Sequence, residues 1–390
     1  MRTVITADRL WSAGQILDRP AIVIEDGLIV SIGAAASDGA PCGVQTFRYP
    51  GTTLAPAYFD VHIHGSAGHD VMEATPEALG AIGRFLARHG VGSYLATTVT
   101  APIDETLRSL SGIAKWIHGV AGKDEARDQA RMIGIHFEGP FLSHLRRGAH
   151  PPDLLLAPDI ATFDRMYEAA EGHVRLMTLA PELPGAIEVA RHAIAKGVRV
   201  SVGHSNATAP ETRTAIAAGA VSATHTYNAM RPLDHRDPGI LGTVLSTDSL
   251  YAELICDGIH TMPEVVRIWW RSKGPDRAIL ITDAMSAAGM PDGMYRLGSM
   301  YVQVKDGKAT AGDALAGSLL TLDRGLANCV AFTGAPLDQA LRSVTSNPAA
   351  MTGLGDRTDS LAAGHPANMV AVDSAGKLIA SIRGGQPLAD

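Results

Sequence analysis

The chain has few cysteines, no excess of positive charge and no long hydrophobic run. Its three cysteines, Cys42, Cys256 and Cys329, show no metal-binding or redox spacing, which favours reduced thiols in a cytoplasmic protein. Because no uncharged apolar run reaches about 18 residues, we expect no membrane span. The N-terminal residues show no apolar segment typical of a signal peptide. A formal charge of −7 argues against a nucleic-acid surface.

Glycine, proline and hydrophobic residues are plentiful. The 390 residues include 41 Gly and 22 Pro, and 46% of them are hydrophobic. A large core can therefore be buried, and many short turns can connect strands to helices. The length exceeds that of one minimal domain and fits a β/α barrel of roughly 250 residues together with a smaller module.

Both ends of the chain carry hairpin patterns. Residues 21–33 and residues 367–383 each place two apolar runs on either side of a glycine-containing turn. Hairpins from the two ends of a chain can pair in one sheet. We therefore expect residues 1–53 and 360–390 to form one composite β-sandwich domain.

Between these ends, strand-like and helix-like segments alternate. Eight β units followed by helices are what a closed parallel barrel needs, so we predict the α/β class and a (β/α)8 TIM-like barrel over residues 54–359. A β-hairpin insertion is expected near residues 290–316. The strand-like runs lie near residues 57–63, 91–99, 131–137, 174–180, 198–203, 221–226, 251–256 and 277–282. The helix-like stretches lie near residues 76–89, 104–119, 159–171, 185–196, 209–218, 263–272, 319–331 and 337–346.

Residues that can bind a metal stand at the ends of three of these runs. Glu138 ends the third run, His204 the fifth and His225 the sixth. Each residue alone is more typical of a loop cap or a hydrogen-bonded core histidine. The carboxyl ends of barrel strands meet at one rim, however, so the three together form the open ligand set of a catalytic zinc-type site.

His62 and His64 stand one residue apart at the end of the first run. Side chains at positions i and i+2 of a strand share a face, so both imidazoles can point into one pocket. An isolated pair of this kind is more often a polar strand end than a metal site. The spacing alone therefore leaves both interpretations open.

Two further residues could take part in catalysis. Asp283 ends the eighth run, where a carboxylate beside a metal-bound water is a natural general base, although it could also cap the following helix. Metal binding lowers the pKa of water from about 15.7 to about 7, which brings the proton within reach of an ordinary carboxylate. His150 follows the third run. It is either a solvated loop residue or, above the metal, a group that polarises a carbonyl.

A different set of residues follows the sixth and seventh runs. It consists of Asn228, Ala229, Arg236 and His260. Backbone amides combined with an arginine fork and a histidine suit a phosphate group. Arg236 could equally form an ion pair with either aspartate of the segment DHRDPG.

Eight motifs occur along the chain in a fixed order: PAYFDVHIHG, IHFEGPF, RRGAH, VGHSNA, THTYNAMRPLDHRDPG, CDGIH, LITDAM and LAGSLLTL. In that order they resemble the N-acetylglucosamine-6-phosphate deacetylases of the amidohydrolase superfamily. The resemblance covers essentially the whole chain, including the segment SLAAGHPANMVAVD. The HxH pair, the two later histidines and the aspartate are broadly shared across the superfamily. The combination of EGPF, RRGAH, THTYNAM and DGIH is more specific.

The resemblance implies a β/α barrel with a composite β-sandwich, usually in a homodimer. It implies that the main metal ion binds Glu138, His204 and His225, that Asp283 is the catalytic acid and base, and that His150 contacts the acetamide carbonyl. The residues implied for the phosphorylated sugar are Asn228, Ala229, Arg236 and His260 at the phosphate and Leu319 at the sugar ring.

The number of metal ions is less uniform in this family. Some members lack the first-strand histidines and use one ion. This chain has His62 and His64, which allows a second ion, bridged by Glu138 and bound also by Asp283. Zn²⁺ is the expected metal, although Fe²⁺, Co²⁺ and Mn²⁺ accept similar ligands.

The implied reaction hydrolyses the acetamide of N-acetyl-D-glucosamine 6-phosphate to D-glucosamine 6-phosphate and acetate, in amino-sugar catabolism or recycling. The nearest alternative is a deacetylase of N-acetylgalactosamine 6-phosphate, or another N-acyl amidohydrolase. A third interpretation is a non-catalytic scaffold that binds a sugar phosphate. Such a scaffold should have lost metal ligands, and every expected ligand position is filled here.

Overall fold

The computed structural model describes residues 2–34, 44–120, 128–355 and 360–389. In chain order its strands are β1 (Arg2–Ser12), β2 (Gln15–Asp18), β3 (Pro20–Glu25), β4 (Leu28–Ala34), β5 (Gln45–Pro56), β6 (Tyr58–Ile63), β7 (Gly65–Ser66), β8 (His69–Asp70), β9 (Val91–Thr98), β10 (Arg131–Glu138), β11 (Val174–Leu179), β12 (Arg199–Val202), β13 (Ser222–Ala223), β14 (Tyr251–Ile255), β15 (Ala278–Ile281), β16 (Gly293–Leu297), β17 (Met300–Lys305), β18 (Lys308–Ala311), β19 (Ala314–Leu315), β20 (Met369–Val372), β21 (Leu378–Arg383) and β22 (Gln386–Pro387).

The helices alternate with the barrel strands. They are α1 (Pro76–Arg88), α2 (Ile103–Val120), α3 (Ile160–Ala169), α4 (Ala186–Ala195), α5 (Ala209–Ala217), α6 (Gly239–Ser246), α7 (Pro263–Arg277), α8 (Leu322–Thr333), α9 (Leu337–Arg342) and α10 (Ser346–Thr352). The backbone of α7 is interrupted at Gly274, where φ is positive and Pro275 follows.

Strands from both ends of the chain form one eight-stranded sheet. Its order is β22-β21-β20-β5-β1-β3-β4, and β2 pairs with β1 outside this path. Ile5, Ile22 and Leu54 from the first part of the chain pack with Met369 and Ile382 from the last part in one apolar cluster. Burial of these side chains in one cluster stabilises the association of the two terminal segments.

The turn of the first hairpin follows from its sequence. β3 and β4 are joined by Asp26 and Gly27, whose φ angles are 51° and 85°. A two-residue hairpin turn of this kind needs positive φ at both positions, which asparagine, aspartate and glycine tolerate best. The hairpin predicted at residues 21–33 is therefore present. The second predicted hairpin is formed by β20 and β21.

Eight parallel strands form the barrel. Their order is β6-β9-β10-β11-β12-β13-β14-β15, and each hydrogen-bonds to the next. The barrel closes through a parallel bridge between Ile63 and Ala284, beside which the Asp283 N–H donates to the carbonyl of His62 at 2.9 Å. The predicted fold class, a TIM-like barrel with a small β domain built from both termini, is confirmed. The closure brings the carboxyl ends of the first and eighth strands together.

Two features were not predicted in full. Helix α6 fills the connection between β13 and β14, although its segment GILGTVLS contains two glycines and gives a weak helical pattern. The insertion after β15 is a four-stranded antiparallel sheet, β16 to β19, rather than a single hairpin. The carboxylate of Asp70 accepts hydrogen bonds from the N–H groups of Gly298 and Met72, both at 2.7 Å, and so ties this sheet to the loop after β6.

The domain boundaries stay a prediction. The first, between residues 53 and 54, falls inside the continuous strand β5. The second, between residues 359 and 360, borders a segment outside the described residues. Cys42 also lies outside the described residues. Among the residues that the structure describes, no helix is both long and apolar enough to cross a membrane.

Candidate metal centre

The carboxyl ends of three barrel strands place Glu138, His204 and His225 in contact. Nε2 of His204 lies 3.2 Å from Oε1 of Glu138, and Nε2 of His225 lies 3.0 Å from the same oxygen. The two imidazole nitrogens are 3.0 Å apart. Three donor atoms at such separations could share one cation. The structure therefore brings together the three residues expected to bind the main metal ion.

The first-strand histidines also contact the carboxylate of Glu138, His64 at its second oxygen and His62 at the oxygen that His204 and His225 approach. Nε2 of His64 is 3.2 Å from Oε2 of Glu138, and Nε2 of His62 is 3.4 Å from Oε1. The two histidine nitrogens are 3.3 Å apart. His62, His64 and Glu138 thus form a second group that could hold an ion, and Glu138 belongs to both groups.

The tautomers of two of these histidines follow from their partners. Nδ1 of His64 lies 3.0 Å from the carbonyl oxygen of Thr97, and Nδ1 of His204 lies 3.0 Å from that of Arg146. A carbonyl oxygen can only accept, so each Nδ1 carries a hydrogen and each Nε2 faces the centre, where it can bind an ion once any proton on it has left. Lone pairs and carboxylate oxygens that face each other at about 3 Å repel unless a proton or a cation lies between them. This donor set fits a divalent metal ion.

Asp283 joins the cluster on the side of the first-strand histidines. Its Oδ1 lies 3.1 Å from Nε2 of His64 and 3.5 Å from Nε2 of His62. Burial alone would raise the pKa of Asp283, but the charge of His62 and the hydrogen bond from His64 outweigh it and lower the pKa to about 2. Asp283 is therefore a carboxylate throughout the neutral range.

The pKa shifts of Glu138, His64 and His204 show how burial and neighbouring charges compete in this centre, where the buried carboxylate is stabilised by positive charge. Burial alone would raise the pKa of Glu138, but the charge of His62 and hydrogen bonds from the surrounding histidines hold it well below its usual range. Burial would lower the pKa of His64, but hydrogen bonds to Asp283 and Glu138 raise it to about 9. Burial dominates at His204 and lowers its pKa to about 4.

His150 reaches the centre from the loop after β10. Its Nε2 lies 3.6 Å from Oε2 of Glu138. Its Nδ1 lies 2.9 Å from Oγ1 of Thr100 and accepts the backbone N–H of Thr100 at 3.4 Å. Because Nδ1 accepts, the hydrogen sits on Nε2 and points toward the centre. His150 is thus arranged as a donor beside the metal ligands.

The cluster forms the floor of a cavity of about 280 Å³. Nδ2 of Asn228 is buried there and finds no hydrogen-bond partner in the described part of the chain. His260 points one ring nitrogen at Asp257, with Nδ1 2.7 Å from Oδ2, which leaves Nε2 available. The predicted site residues that line the cavity are His64, Glu138, His150, His204, His225, Asn228, Ala229, His260 and Asp283.

Two residues predicted for substrate binding are not among those that line the cavity. Arg236 is exposed in the loop before α6, and its backbone N–H donates to Asp234. Among the described residues Arg236 forms no ion pair with either aspartate: Asp237 pairs with Arg231, and Asp234 lies beside His235. Leu319 packs against the apolar cluster of the inserted sheet. Their positions follow from loop and insert geometry that no local spacing encodes.

Sequence reasoning missed two contributions to the site. Glu253 on β14 is fully buried beside His62, with Oε2 3.6 Å from Nδ1. A lone acidic residue inside the apolar run YAELI was the available signal. Leu297 and Met300 from the inserted sheet line the cavity wall, for which the sequence offers no comparable signal.

Comparison with known proteins agrees with this geometry. The amidohydrolase family pattern matches residues 53–388. The chain belongs to the amidohydrolase family. This amidohydrolase is 39% identical over 376 residues to N-acetylgalactosamine-6-phosphate deacetylase of Escherichia coli O157:H7, covering 96% of each chain. It is 37% identical over 362 residues to N-acetylglucosamine-6-phosphate deacetylase of Vibrio furnissii, covering 92% of this chain and 87% of the relative.

The same resemblance holds in three dimensions. A variant of N-acetyl-D-glucosamine-6-phosphate deacetylase from Mycobacterium smegmatis, solved in complex with N-acetyl-D-glucosamine-6-phosphate, superposes with a TM-score of 0.90. The two chains are 36% identical, and the match covers 100% of both. The resemblance to the deacetylases predicted from the sequence motifs is confirmed.

Proposed function

We propose that this amidohydrolase hydrolyses the acetamide of N-acetyl-D-glucosamine 6-phosphate, releasing D-glucosamine 6-phosphate and acetate. The observation that carries the proposal is the position of Glu138, a buried carboxylate between two pairs of imidazoles at the floor of a cavity. The Vibrio furnissii and Mycobacterium smegmatis relatives carry the name of this activity. The cavity also presents Asn228 and His260, polar groups suited to a phosphorylated sugar.

Glu138, His204 and His225 would hold one divalent ion, and His62 and His64 would hold a second one together with Glu138. When bound, such an ion supplies Lewis acidity, which lowers the pKa of water and polarises an amide carbonyl. Zn²⁺ suits a ligand set of imidazoles and carboxylates best, while Fe²⁺, Co²⁺ and Mn²⁺ remain compatible.

Asp283 is proposed as the catalytic acid and base. Its low pKa keeps Asp283 a carboxylate at neutral pH. Such a carboxylate can accept a proton from a water whose pKa a bound divalent ion would lower to about 7. The same proton then passes from Asp283 to the amide nitrogen, because an amine leaves readily only when it is protonated. This shuttle needs one carboxylate that faces both the water and the leaving group.

His150 is proposed to stabilise the charge that develops on the acetyl oxygen. Its Nδ1 accepts from Thr100, so Nε2 carries a hydrogen that faces the centre. A donor fixed in place before the reaction stabilises an oxyanion without reorganisation. Asn228, Ala229 and His260 are proposed to hold the sugar phosphate, and Leu319 is retained as a proposed neighbour of the sugar ring.

Arg236 is retained as a proposed phosphate ligand, although it lies outside the cavity wall. Its guanidinium forms no ion pair with any residue in the described segments, whereas the nearby Arg231 is bound to Asp237. The unpaired arginine is therefore the one free to meet an incoming anion.

A second candidate substrate is N-acetylgalactosamine 6-phosphate. It is favoured by the Escherichia coli relative, whose 39% identity exceeds the 37% of the Vibrio furnissii relative. The two sugars differ in the orientation of one hydroxyl group. The activity proposed above and this one share the same centre and the same chemistry.

The test is acetate release by metal-loaded protein from the two phosphorylated epimers and from unphosphorylated N-acetylglucosamine. We expect the highest kcat/KM with the gluco phosphate. Faster turnover of the galacto phosphate would transfer the assignment to the second candidate, and activity with none of the three would refute both. We also propose a cytoplasmic homodimer, which sedimentation of the purified protein and fractionation of the source cells would test.

A further inference from the structure

Glu253 is a buried carboxylate for which the proposed reaction has no use. It lies in the middle of β14, and its side chain has no exposed surface. In the part of the chain that the structure describes, no group donates a hydrogen bond to either of its oxygens. Its nearest ionisable neighbour is His62, whose Nδ1 lies 3.6 Å from Oε2.

An unpartnered carboxylate inside a barrel is costly. Leaving a buried charge without a hydrogen bond destabilises the folded chain. An apolar residue of similar volume would avoid this cost. In the run YAELI, the residues other than Tyr251 and Glu253 are apolar. The position of Glu253 therefore indicates a partner that carries positive charge or donates a hydrogen bond to this carboxylate.

The imidazole of His62 has two nitrogens, and only the surroundings of Nε2 are explained by the candidate metal ligands. Its Nε2 faces the centre, 3.4 Å from Oε1 of Glu138 and 3.5 Å from Oδ1 of Asp283. Its Nδ1 is buried and, among the residues that the structure describes, has no hydrogen-bond partner within the usual distance. Glu253 is the carboxylate on that side.

The other histidines of the centre show what such a partner does. Nδ1 of His64 donates to the carbonyl of Thr97, and Nδ1 of His204 donates to that of Arg146. Each of these contacts fixes the tautomer that leaves Nε2 free for an ion. Within the described segments, no backbone carbonyl plays this role for His62.

We infer that Glu253 is a positioning residue: its carboxylate holds the Nδ1–H of His62 and thereby orients Nε2 toward a second divalent cation bound with His64 and Glu138. The inference rests on the metal site of the proposed function. A buried carboxylate makes the imidazole a stronger ligand than a carbonyl does, because its negative charge favours the electron donation from Nε2. Glu253 also adds negative charge on this side, where Glu138 is shared with the first ion.

The experiment counts metal ions in purified full-length protein. Apoprotein is titrated with Zn²⁺, and the stoichiometry and both dissociation constants are measured for wild type, Glu253→Leu and Glu253→Gln. The leucine removes the acceptor at similar volume, whereas the glutamine keeps an acceptor and loses the charge. Asp323→Asn is the matched control, because Asp323 also pairs with a histidine, with Oδ1 3.3 Å from Nδ1 of His89, far from the centre.

We expect the wild type and the control to bind two ions. Glu253→Leu should weaken the second ion by about 10- to 100-fold and leave the first unchanged, with Glu253→Gln between them. Two ions bound by Glu253→Leu with wild-type affinity would overturn the inference, and so would equal weakening of both. A wild type that binds one ion and still releases acetate would overturn the inference while leaving the proposed function intact.

A second measurement uses the wild type alone and is independent of how the variants fold. Protein labelled with ¹⁵N-histidine and loaded with Zn²⁺ is examined by long-range ¹H–¹⁵N NMR, and the signals of His62 are assigned with His62→Asn. We expect a protonated Nδ1 and a metal-bound Nε2. A hydrogen on Nε2 of His62 would contradict the positioning role.

Discussion

Oδ1 of Asp283 lies 3.1 Å from Nε2 of His64. Asp283 follows the last strand of the barrel and His64 follows the first, and they meet because the bridge between Ile63 and Ala284 closes the barrel. The contact places the proposed acid and base against the first-strand histidines. It links the proposed proton-transfer role of Asp283 to the occupancy of the proposed second metal position.

Replacing Asp283 by Asn should suppress turnover. The amide cannot accept the proton of water, so kcat should fall by about 100- to 10,000-fold, with little change in KM. The ion held by Glu138, His204 and His225 should remain. The measurements are initial rates of acetate release and elemental analysis of the same samples. Activity equal to the wild type would remove Asp283 from its proposed role.

Replacing Glu138 by Gln should remove metal from both positions, because this carboxylate belongs to both donor groups. Elemental analysis after dialysis should give fewer than one ion per chain, and acetate release should be lost. His89→Asn is the control, since His89 is paired with Asp323 away from the centre. Full metal content in Glu138→Gln would contradict the assignment of Glu138 as a ligand.

Replacing His150 by Ala should lower kcat without a loss of metal. Removal of one oxyanion donor costs about 100- to 1,000-fold in rate. Thr100→Val is a finer test, because the hydroxyl within 2.9 Å of Nδ1 helps to fix the tautomer of His150. That variant should show a smaller reduction. An unchanged kcat in His150→Ala would show that its Nε2 hydrogen does not act on the acetyl oxygen.

Replacing Arg236 by Ala should raise KM for the phosphorylated substrate by about 10-fold or more, since charge-assisted bonds to phosphate are worth about 1.5–3 kcal/mol. KM for unphosphorylated N-acetylglucosamine should stay the same. Arg165→Ala, which removes an exposed arginine of α3, is the matched control. If both substrates respond equally, or neither does, Arg236 does not bind the phosphate.

Affinity for the second ion should depend on pH more strongly than affinity for the first. The pKa of His64 is raised to about 9, so His64 carries a proton at neutral pH that must leave when Nε2 binds an ion. Apparent affinity should therefore rise with pH and level off above about 9. His204, with its pKa lowered to about 4, is already neutral over this range.

Zinc titrations between about pH 6 and about pH 9 would measure this difference. The weaker of the two binding steps should strengthen steadily as the pH rises. A second ion whose affinity is the same at both ends of the range would show that His64 does not release a proton on binding.

The grouping of the proposed metal ligands could be predicted from the sequence because strand order fixes their place. Glu138 ends β10, and His204 and His225 stand two residues after β12 and β13. Parallel barrel strands end at one rim. Glu253 was not predicted, because a single acid inside an apolar run says nothing about which neighbour it meets across the barrel. The role inferred for Glu253 depends on its position beside Nδ1 of His62 rather than beside Nε2.

Loops and insertions set the other limit. The spacing of Arg236 in the segment DHRDPG is compatible with a phosphate ligand or an ion pair. Only the folded loop shows that Asp237 forms its ion pair with Arg231. The cavity wall formed by Leu297 and Met300 depends on how a four-stranded insert docks through Asp70. Such long-range docking leaves no periodic pattern in the chain.

The most direct test of the metal centre is a crystal structure of the zinc-loaded protein with anomalous data at the zinc edge. We predict a peak about 2.0–2.2 Å from a carboxylate oxygen of Glu138 and from Nε2 of His204 and His225. An anomalous peak elsewhere in the chain, with these three side chains free of metal, would contradict the account.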